Sequence, residues 1–384
     1  MRFEFVTAPR ILFGSGALTE IGPLARSLGQ RALVVTGSKP ERATRLVELL
    51  RESGVSSVAF PVSGEPELAT VEQGVAIARR EQCDLVISFG GGSAIDAGKA
   101  IAAMLTNPGE LLDYLEIIGR GQCLTQSPAP FIAIPTTAGT GAEVTRNAVL
   151  ASPEHRVKVS LRSPLMLPKV ALVDPELALG LPRDITATSG LDALTQLIEP
   201  YLSCRANPMT DTLCIEGIHR AARSLRRACE NGNDLAARED MALASLWSGM
   251  ALANAGLGAV HGFAGPIGGM FPAPHGAVCA ALLPHVMTTN LRALRERQPD
   301  NEALRKFGEV ARLLTANTNA SADDGVRWLA DLVHDLQIKP LRSYGITPAH
   351  TAELVEKAAA ASSMKGNPLP LTADELKAAL TAAL

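Results

Sequence analysis

The sequence predicts two domains, an α/β domain on a parallel sheet over residues 1–180 and an all-α helical domain over residues 181–384. Three observations carry this. Short apolar strands alternate with amphipathic helices through the first half, which implies a parallel sheet covered on both faces. Several of those strands run straight into glycine- or hydroxyl-rich loops. From about Leu181 the strand signals fade and long helical runs take over.

The elements follow in order. Phe3 to Gly16 predicts a short strand pair turning at Gly14-Ser15-Gly16, and Leu18 to Ser27 a helix. Arg31-Ala32-Leu33-Val34-Val35-Thr36 is a buried strand ending at Gly37, and Glu41 to Ser53 a helix by its apolar spacing. Ser57 to Val62 is a second strand, Thr70 to Gln82 a helix, and Asp84 to Phe89 a third strand. A helix from Ala94 to about Leu105 and a strand at Phe131-Ile132-Ala133-Ile134-Pro135 come next. Val157 to Ser160 and Val170 to Pro175 are further strands. In the second half, helices are predicted over Ala187 to Leu202, Met209 to Asn231, Leu235 to Ala255, Leu304 to Leu314 and Asp324 to Leu336. Thr372 is placed to cap a final helix through Leu380.

Ligands of parallel α/β sheets bind beyond the carboxyl ends of the strands, so the loops there matter most. The third strand ends in Gly90-Gly91-Gly92-Ser93 and opens a helix. Glycines let a phosphate approach the backbone, and the helix N-terminus offers free N–H groups. Ser93 as N-cap with Asp96 closing a capping box is a structural reading of the same residues, compatible with the first. The next strand runs into Thr136-Thr137-Ala138-Gly139-Thr140-Gly141-Ala142-Glu143, small and rich in hydroxyls. Two such loops after neighbouring strands predict a Rossmann-like dinucleotide site built from Gly91, Gly92, Ser93, Asp96, Thr136, Thr137 and Thr140. Gly37-Ser38-Lys39 stands where NAD enzymes often place a carboxylate to grip the adenine ribose. With no acid there, and with Ser38, Lys39 and Arg42 at hand, the reading tilts to NADP. Lys158, in an alternating stretch, is within reach of a nicotinamide ribose; an exposed edge-strand lysine is the plainer alternative.

In the helical half, Ser189 to Tyr201 carries Leu191, Leu194, Leu197 and Ile198 as its buried face, with Asp192 and Gln196 projecting one turn apart. A carboxylate on an apolar helix needs a cation or donors. His261, after the break Gly256-Leu257-Gly258, and His275, after Phe271-Pro272-Ala273-Pro274, are its candidate partners. Carboxylate plus imidazoles is a divalent-metal ligand set. His155, His219, His285, His334 and His350 read as ordinary core or surface histidines.

Composition excludes other classes. The chain has 384 residues, net charge −3, 47% hydrophobic and 20% charged residues, so it reads as a soluble globular protein without a basic footprint for nucleic acid or membrane. Aromatics at 4% argue against base-stacking platforms. The six cysteines form no CxxC pair and read as free thiols in a reducing compartment. Met1 to Phe5 has no apolar core for a signal peptide and no apolar run reaches spanning length, which predicts a cytoplasmic protein.

Gly90-Gly91-Gly92-Ser93-x-x-Asp96-x-x-Lys99, Pro135-Thr136-Thr137-Ala138-Gly139-Thr140-Gly141-Ala142-Glu143, Asp174-Pro175, Gly190-Leu191-Asp192-Ala193-Leu194 and His261…Pro274-His275-Gly276 stand in one order. That order resembles the iron-containing (group III) alcohol dehydrogenases, over essentially the whole chain. The resemblance implies their fold, which is related to dehydroquinate synthase, with an α/β nucleotide-binding domain before a helical metal-binding domain. It implies NAD(P)-dependent hydride transfer between a small alcohol and its aldehyde or ketone, assisted by Fe²⁺ or Zn²⁺, in a homodimer or larger homo-oligomer. Carried over by position, the metal ligands are Asp192, Gln196, His261 and His275, with Asp192, His261 and His275 as the catalytic set. Two departures stand out. Gln196 replaces a histidine ligand, and its amide oxygen is a weaker donor for Fe²⁺ or Zn²⁺ than imidazole. Gly265 replaces a histidine associated with proton relay. The alternatives are a metal-free reduction of an oxo-acid, as in the similar maleylacetate reductases, and a lyase or cyclase on the dehydroquinate synthase-type fold.

Overall fold

A computed structural model describes residues 2–384. It divides into two compact units. One comprises Thr7–Thr137 and Gly141–Leu179; the other comprises Gly180–Leu384 with Ala138–Thr140 and a short N-terminal run ending at Val6.

The first unit is a doubly wound α/β layer. Its elements are β1 (Ile11–Phe13), α1 (Ile21–Leu28), β2 (Arg31–Thr36), α2 (Thr44–Glu52), β3 (Ser56–Pro61), α3 (Leu68–Arg80), β4 (Leu85–Gly90), α4 (Gly92–Thr106), the one-turn α5 (Leu111–Tyr114), β5 (Phe131–Pro135), β6 (Asn147–Ser152), β7 (Val157–Arg162) and β8 (Val170–Val173). Six strands form one sheet in the order β1-β8-β5-β4-β2-β3, every pair parallel. Alternation along the strands builds a core on each face. Leu33, Val35, Val86 and Phe131 pack with α3 and α4, while Ala32, Val34, Leu85, Ile87 and Ile132 pack with α1 and α2.

Three local expectations change. The strand pair before Gly16 is a single three-residue strand, because β1 pairs in parallel with β8. Val157–Arg162 is not in the main sheet; it forms an antiparallel hairpin with β6, which the sequence did not signal. The capping box at Ser93 and Asp96 does not form: Gly91 is the N-cap of α4 without a side-chain bond, and Asp96 Oδ2 instead accepts the Val149 N–H at 3.1 Å. That bond holds the hairpin on α4, together with the buried Lys99, whose Nζ donates to Thr145 Oγ1 (2.8 Å) and Asn147 O (2.6 Å).

The second unit is helical: α6 (Arg183–Leu202), α7 (Pro208–Glu230), α8 (Leu235–Ala255), α9 (Ala259–Met270), α10 (His275–Arg297), α11 (Glu302–Thr315), α12 (Ala322–Asp335), α13 (Thr351–Ala360) and α14 (Ala373–Ala382). Thr372 caps α14 in a reciprocal box with Glu375, as predicted. The Asn254 side chain takes both the N–H and the C=O of Val6 (2.7 and 2.8 Å), so Val6 satisfies its backbone groups without a strand partner. Helix α6 is not buried along one stripe. Every residue from Gly190 to Leu202 is buried, including Asp192, Gln196 and Glu199. Among the described residues, no single helix is long and apolar enough to cross a membrane.

Candidate metal centre and nucleotide cradle

The carboxyl ends of β2, β4 and β5 lie side by side, which gathers Gly37, Gly91 and Thr136 from three loops. The approach is close enough to require glycine: a Cβ on Gly90 would sit 2.6 Å from Ala94 Cβ and 3.2 Å from the Gly37 nitrogen. A Cβ on Gly91 would meet Thr137 Oγ1 at 3.2 Å. Helix α4 starts here with no side chain on its first N–H groups, and Gly91, Gly92 and Ser93 are half-exposed. An uncapped N-terminus beside small residues fits a pyrophosphate. No carboxylate follows β2, where Gly37 and Ser38 stand, and the Arg42 guanidinium is engaged with the Leu177 carbonyl at 2.6 Å. The structure spends two other candidates elsewhere. Asp96 holds the hairpin, and burial raises its pKa to about 6 against the pull of Lys99. Lys158 is nearly enclosed and paired with Glu65, not an exposed edge lysine. Thr140 belongs to the 138–140 segment of the helical unit.

The second site is built on α6. Asp192, Gln196 and Glu199 recur at helical spacing on the buried stretch of that helix, and each is at most 3% exposed. Two histidines meet Asp192. His261 is the third residue of α9, whose start is fixed by two buried acceptors. Asn367 Oδ1 takes the Ala259 N–H (3.2 Å), and Glu199 Oε1 takes the Val260 N–H (2.7 Å). Glu199 Oε2 then binds His261 Nδ1 at 2.6 Å, which turns Nε2 toward Asp192. His275 is the first residue of α10, after the Pro272–Pro274 loop. Gly276 lets that terminus lie against α6, because a Cβ there would come within 2.5 Å of the Thr188 carbonyl oxygen.

His261 Nε2 and His275 Nε2 lie 3.3 and 3.7 Å from Asp192 Oδ1. One turn along α10, Cys279 Sγ lies 3.7 Å from each of those nitrogens. One donor atom from each of the four residues falls within 4.8 Å of every other. Asp192 Oδ1 and Gln196 Oε1 are buried with no hydrogen-bond donor, while Gln196 Nε2 donates to Gly139 O at 3.3 Å. A buried acceptor without a donor is costly by itself, and Asp192 Oδ1, which faces two imidazoles, fits a divalent cation.

Within the cluster the charges compensate one another. Burial alone would raise the Asp192 pKa, but His275 and His261 outweigh it and hold the carboxyl low. Burial disfavours a charged His261, yet Cys279, Glu199 and Asp192 outweigh it and the ring's pKa lies well above the ordinary value. Burial pushes the Cys279 thiol up to about 12, so it takes a cation, not bulk pH, to make it a thiolate. The structure thus brings Asp192, His261 and His275 together, and Gln196 lies one turn along α6 from Asp192. Glu199 and Cys279 were missed, although i, i+7 from Asp192 and i, i+4 from His275 are the spacings that would have pointed to them. A Cβ at Gly265 would meet nothing within 4 Å, so that position is open space.

Comparison with known proteins agrees with this geometry. The family described as "Iron-containing alcohol dehydrogenase" matches residues 8–175, and "Fe-containing alcohol dehydrogenase family, C-terminal" matches residues 186–384. The chain is 38% identical over 379 residues to the 1,3-propanediol dehydrogenase of Klebsiella pneumoniae, covering 95% of each. It resembles the crystal structure of a 1,3-propanediol oxidoreductase with a TM-score of 0.92 and 36% identity over 100% of both chains. It also resembles the sulfoacetaldehyde reductase of Bifidobacterium kashiwanohense, solved in complex with NAD+, with a TM-score of 0.86 and 28% identity over 99% of this chain and 98% of that one. With both units matched and relatives aligned along nearly the whole length, the chain belongs to the iron-containing alcohol dehydrogenase family.

Proposed function

We propose that the protein is an NAD(P)-dependent oxidoreductase that interconverts a small alcohol and its aldehyde or ketone with the help of a divalent metal. The observation that carries this is the convergence of His261 and His275 on Asp192 Oδ1, a buried acceptor that has no donor. When bound, Fe²⁺ or Zn²⁺ supplies Lewis-acid polarisation of the substrate oxygen, and the nicotinamide supplies or accepts the hydride.

The chain's own residues do the rest. Asp192 Oδ1 and the two Nε2 atoms hold the metal, and Glu199 fixes the His261 tautomer through Nδ1. Gln196, anchored on Gly139, borders the site as a weak oxygen donor. The N–H groups of Gly91, Gly92 and Ser93 receive the pyrophosphate, and Thr136, Thr137 and Thr140 line the cofactor. Gly37 and Ser38 accept the adenine ribose, and the missing carboxylate favours NADP over NAD. The proton that completes the alcohol comes from solvent, because Gly265 offers no side chain to relay it. The proposal extends to a cytoplasmic enzyme that works as a homodimer or larger homo-oligomer.

The test is elemental analysis of the purified protein, paired with alcohol oxidation with NAD and with NADP before and after chelation. Stoichiometric metal with activity lost on chelation supports the proposal, as does loss of most metal and activity in His261→Ala. Undiminished turnover in metal-stripped protein refutes the Lewis-acid role and moves the reading to a metal-free reductase.

A further inference from the structure

We propose that Cys279 binds the metal as a thiolate, completing a donor set of one carboxylate, two imidazoles and one sulfur that selects Zn²⁺ over Fe²⁺ and leaves Gln196 outside it. This rests on the metal-assisted reading above. Cys279 is fully buried, but its sulfur is not packed only against apolar neighbours: it lies 3.7 Å from His261 Nε2 and 3.7 Å from His275 Nε2.

Donor spacing discriminates between geometries. With metal–nitrogen and metal–oxygen bonds of about 2.0–2.1 Å and a metal–sulfur bond of about 2.3 Å, tetrahedral edges are about 3.3 Å for N–O and about 3.6 Å for N–S. Adjacent octahedral donors at the same bond lengths are closer, at about 2.9–3.1 Å. The four edges here are 3.3, 3.7, 3.7 and 3.7 Å. Three of them match the tetrahedral set, which Zn²⁺ prefers when sulfur and nitrogen are among the donors; the His275–Asp192 edge is about 0.4 Å longer, and all four exceed the octahedral spacing.

The competing fourth donor is poorer. Gln196 offers a neutral amide oxygen, and its Nε2 is committed to the Gly139 carbonyl. A thiolate is anionic and softer, and one turn separates it from His275 on a rigid helix. As the metal–sulfur bond forms, the thiol proton passes to solvent, and no electrons are exchanged. His275 keeps 34% of its side chain exposed, so the centre remains open on that side. A bound metal would be reachable from that side by the substrate oxygen.

X-ray absorption at the zinc edge of the zinc-loaded wild-type protein tests this without any variant. The expected result is one sulfur scatterer at about 2.3 Å beside nitrogen and oxygen at about 2.0–2.2 Å. The cobalt-loaded protein should show a thiolate-to-cobalt charge-transfer band in the near ultraviolet that Cys279→Ala abolishes. That variant should also lose zinc affinity by more than about 100-fold, beyond the usual effect of an outer-shell change, while its NAD(P)H affinity holds. Cys279→Ser serves if the alanine variant does not fold. Stoichiometric zinc with only nitrogen and oxygen neighbours overturns the Cys279 ligation but leaves the metal-assisted reading standing. A protein that binds no zinc or cobalt overturns both.

Discussion

Glu199 is the residue on which the His261 side of the centre depends, and Glu199→Gln isolates that dependence. The substitution keeps size and removes the charge. In the native arrangement one carboxylate accepts two bonds, from Val260 N–H at 2.7 Å and from His261 Nδ1 at 2.6 Å. The amide oxygen of glutamine satisfies only one of them. If it keeps Val260, its amide N–H group faces Nδ1, and the ring must make Nδ1 the acceptor and move the proton to Nε2. Nε2 is the atom facing Asp192 Oδ1 at 3.3 Å, and a protonated nitrogen cannot bind a metal. Losing such an orienting partner costs about 10–100-fold in metal affinity, or about 1.4–2.7 kcal/mol. The assay is a zinc titration against a chromophoric chelator, with NAD(P)H affinity as the control for folding. Glu199→Ala should be worse for stability, since it strands two buried donors at about 1–3 kcal/mol each. Wild-type zinc affinity in Glu199→Gln would refute the claim that this carboxylate sets the tautomer.

Three further outcomes follow from close approaches and buried charge. Gly276→Ala places a methyl group 2.5 Å from the Thr188 carbonyl oxygen, which should displace the start of α10, cost about 1–3 kcal/mol and weaken zinc binding, as read by denaturant melts and metal titration. Gly90→Ala meets Ala94 Cβ at 2.6 Å; it should raise the KM for cofactor while zinc affinity stays unchanged. Glu143 is enclosed, and burial lifts its pKa from 4.5 to about 7 despite its own backbone hydrogen bond and Lys99. Its contribution to stability is therefore fully present below about pH 4.5 and lost as pH rises through about 7. Two and a half units at about 1.4 kcal/mol each amount to about 3 kcal/mol. Glu143→Gln should gain about that much over the wild type at pH 8 and converge with it near pH 4.5; a constant difference across pH would contradict the burial argument.

The parallel sheet was legible because its central strands β2, β4 and β5 are buried on both faces. Ala32, Leu33, Val34 and Val35 leave no polar position to confuse the period, and β2, β4 and β5 each end in a visible glycine or hydroxyl. The β6–β7 hairpin was not, because its position depends on Lys99 and Asp96 reaching across from α4. Helices α9 and α10 were equally hidden. Gly262, Gly265, Pro266, Gly268 and Gly269 all oppose helix formation in α9, which holds because Glu199 and Asn367 take its first N–H groups and its apolar side packs in the core. Tertiary capping outweighs local propensity there, and no window of sequence contains it.

The same division runs through the metal centre. Asp192 and Gln196 stand out because two polar residues one turn apart on an apolar helix are anomalous by themselves. Glu199 continues that stripe at the next turn, yet its purpose shows only once α9 is placed, since its partners are 61 and 62 residues away. Cys279 reads like the other cysteines because no CxxC pair exists. On a helix, however, a ligating histidine shares its face with residues three and four on, and His275 and Cys279 have the second spacing. The weak donor at Gln196 and the sulfur at Cys279 are therefore connected observations. A centre that lacks a strong nitrogen on α6 has a soft donor on α10 at tetrahedral distance from both remaining imidazoles. If the thiolate replaces the missing donor, Gln196→His should compete with it, weakening the cobalt–sulfur band while raising metal affinity. If the two positions are independent, that band should not move.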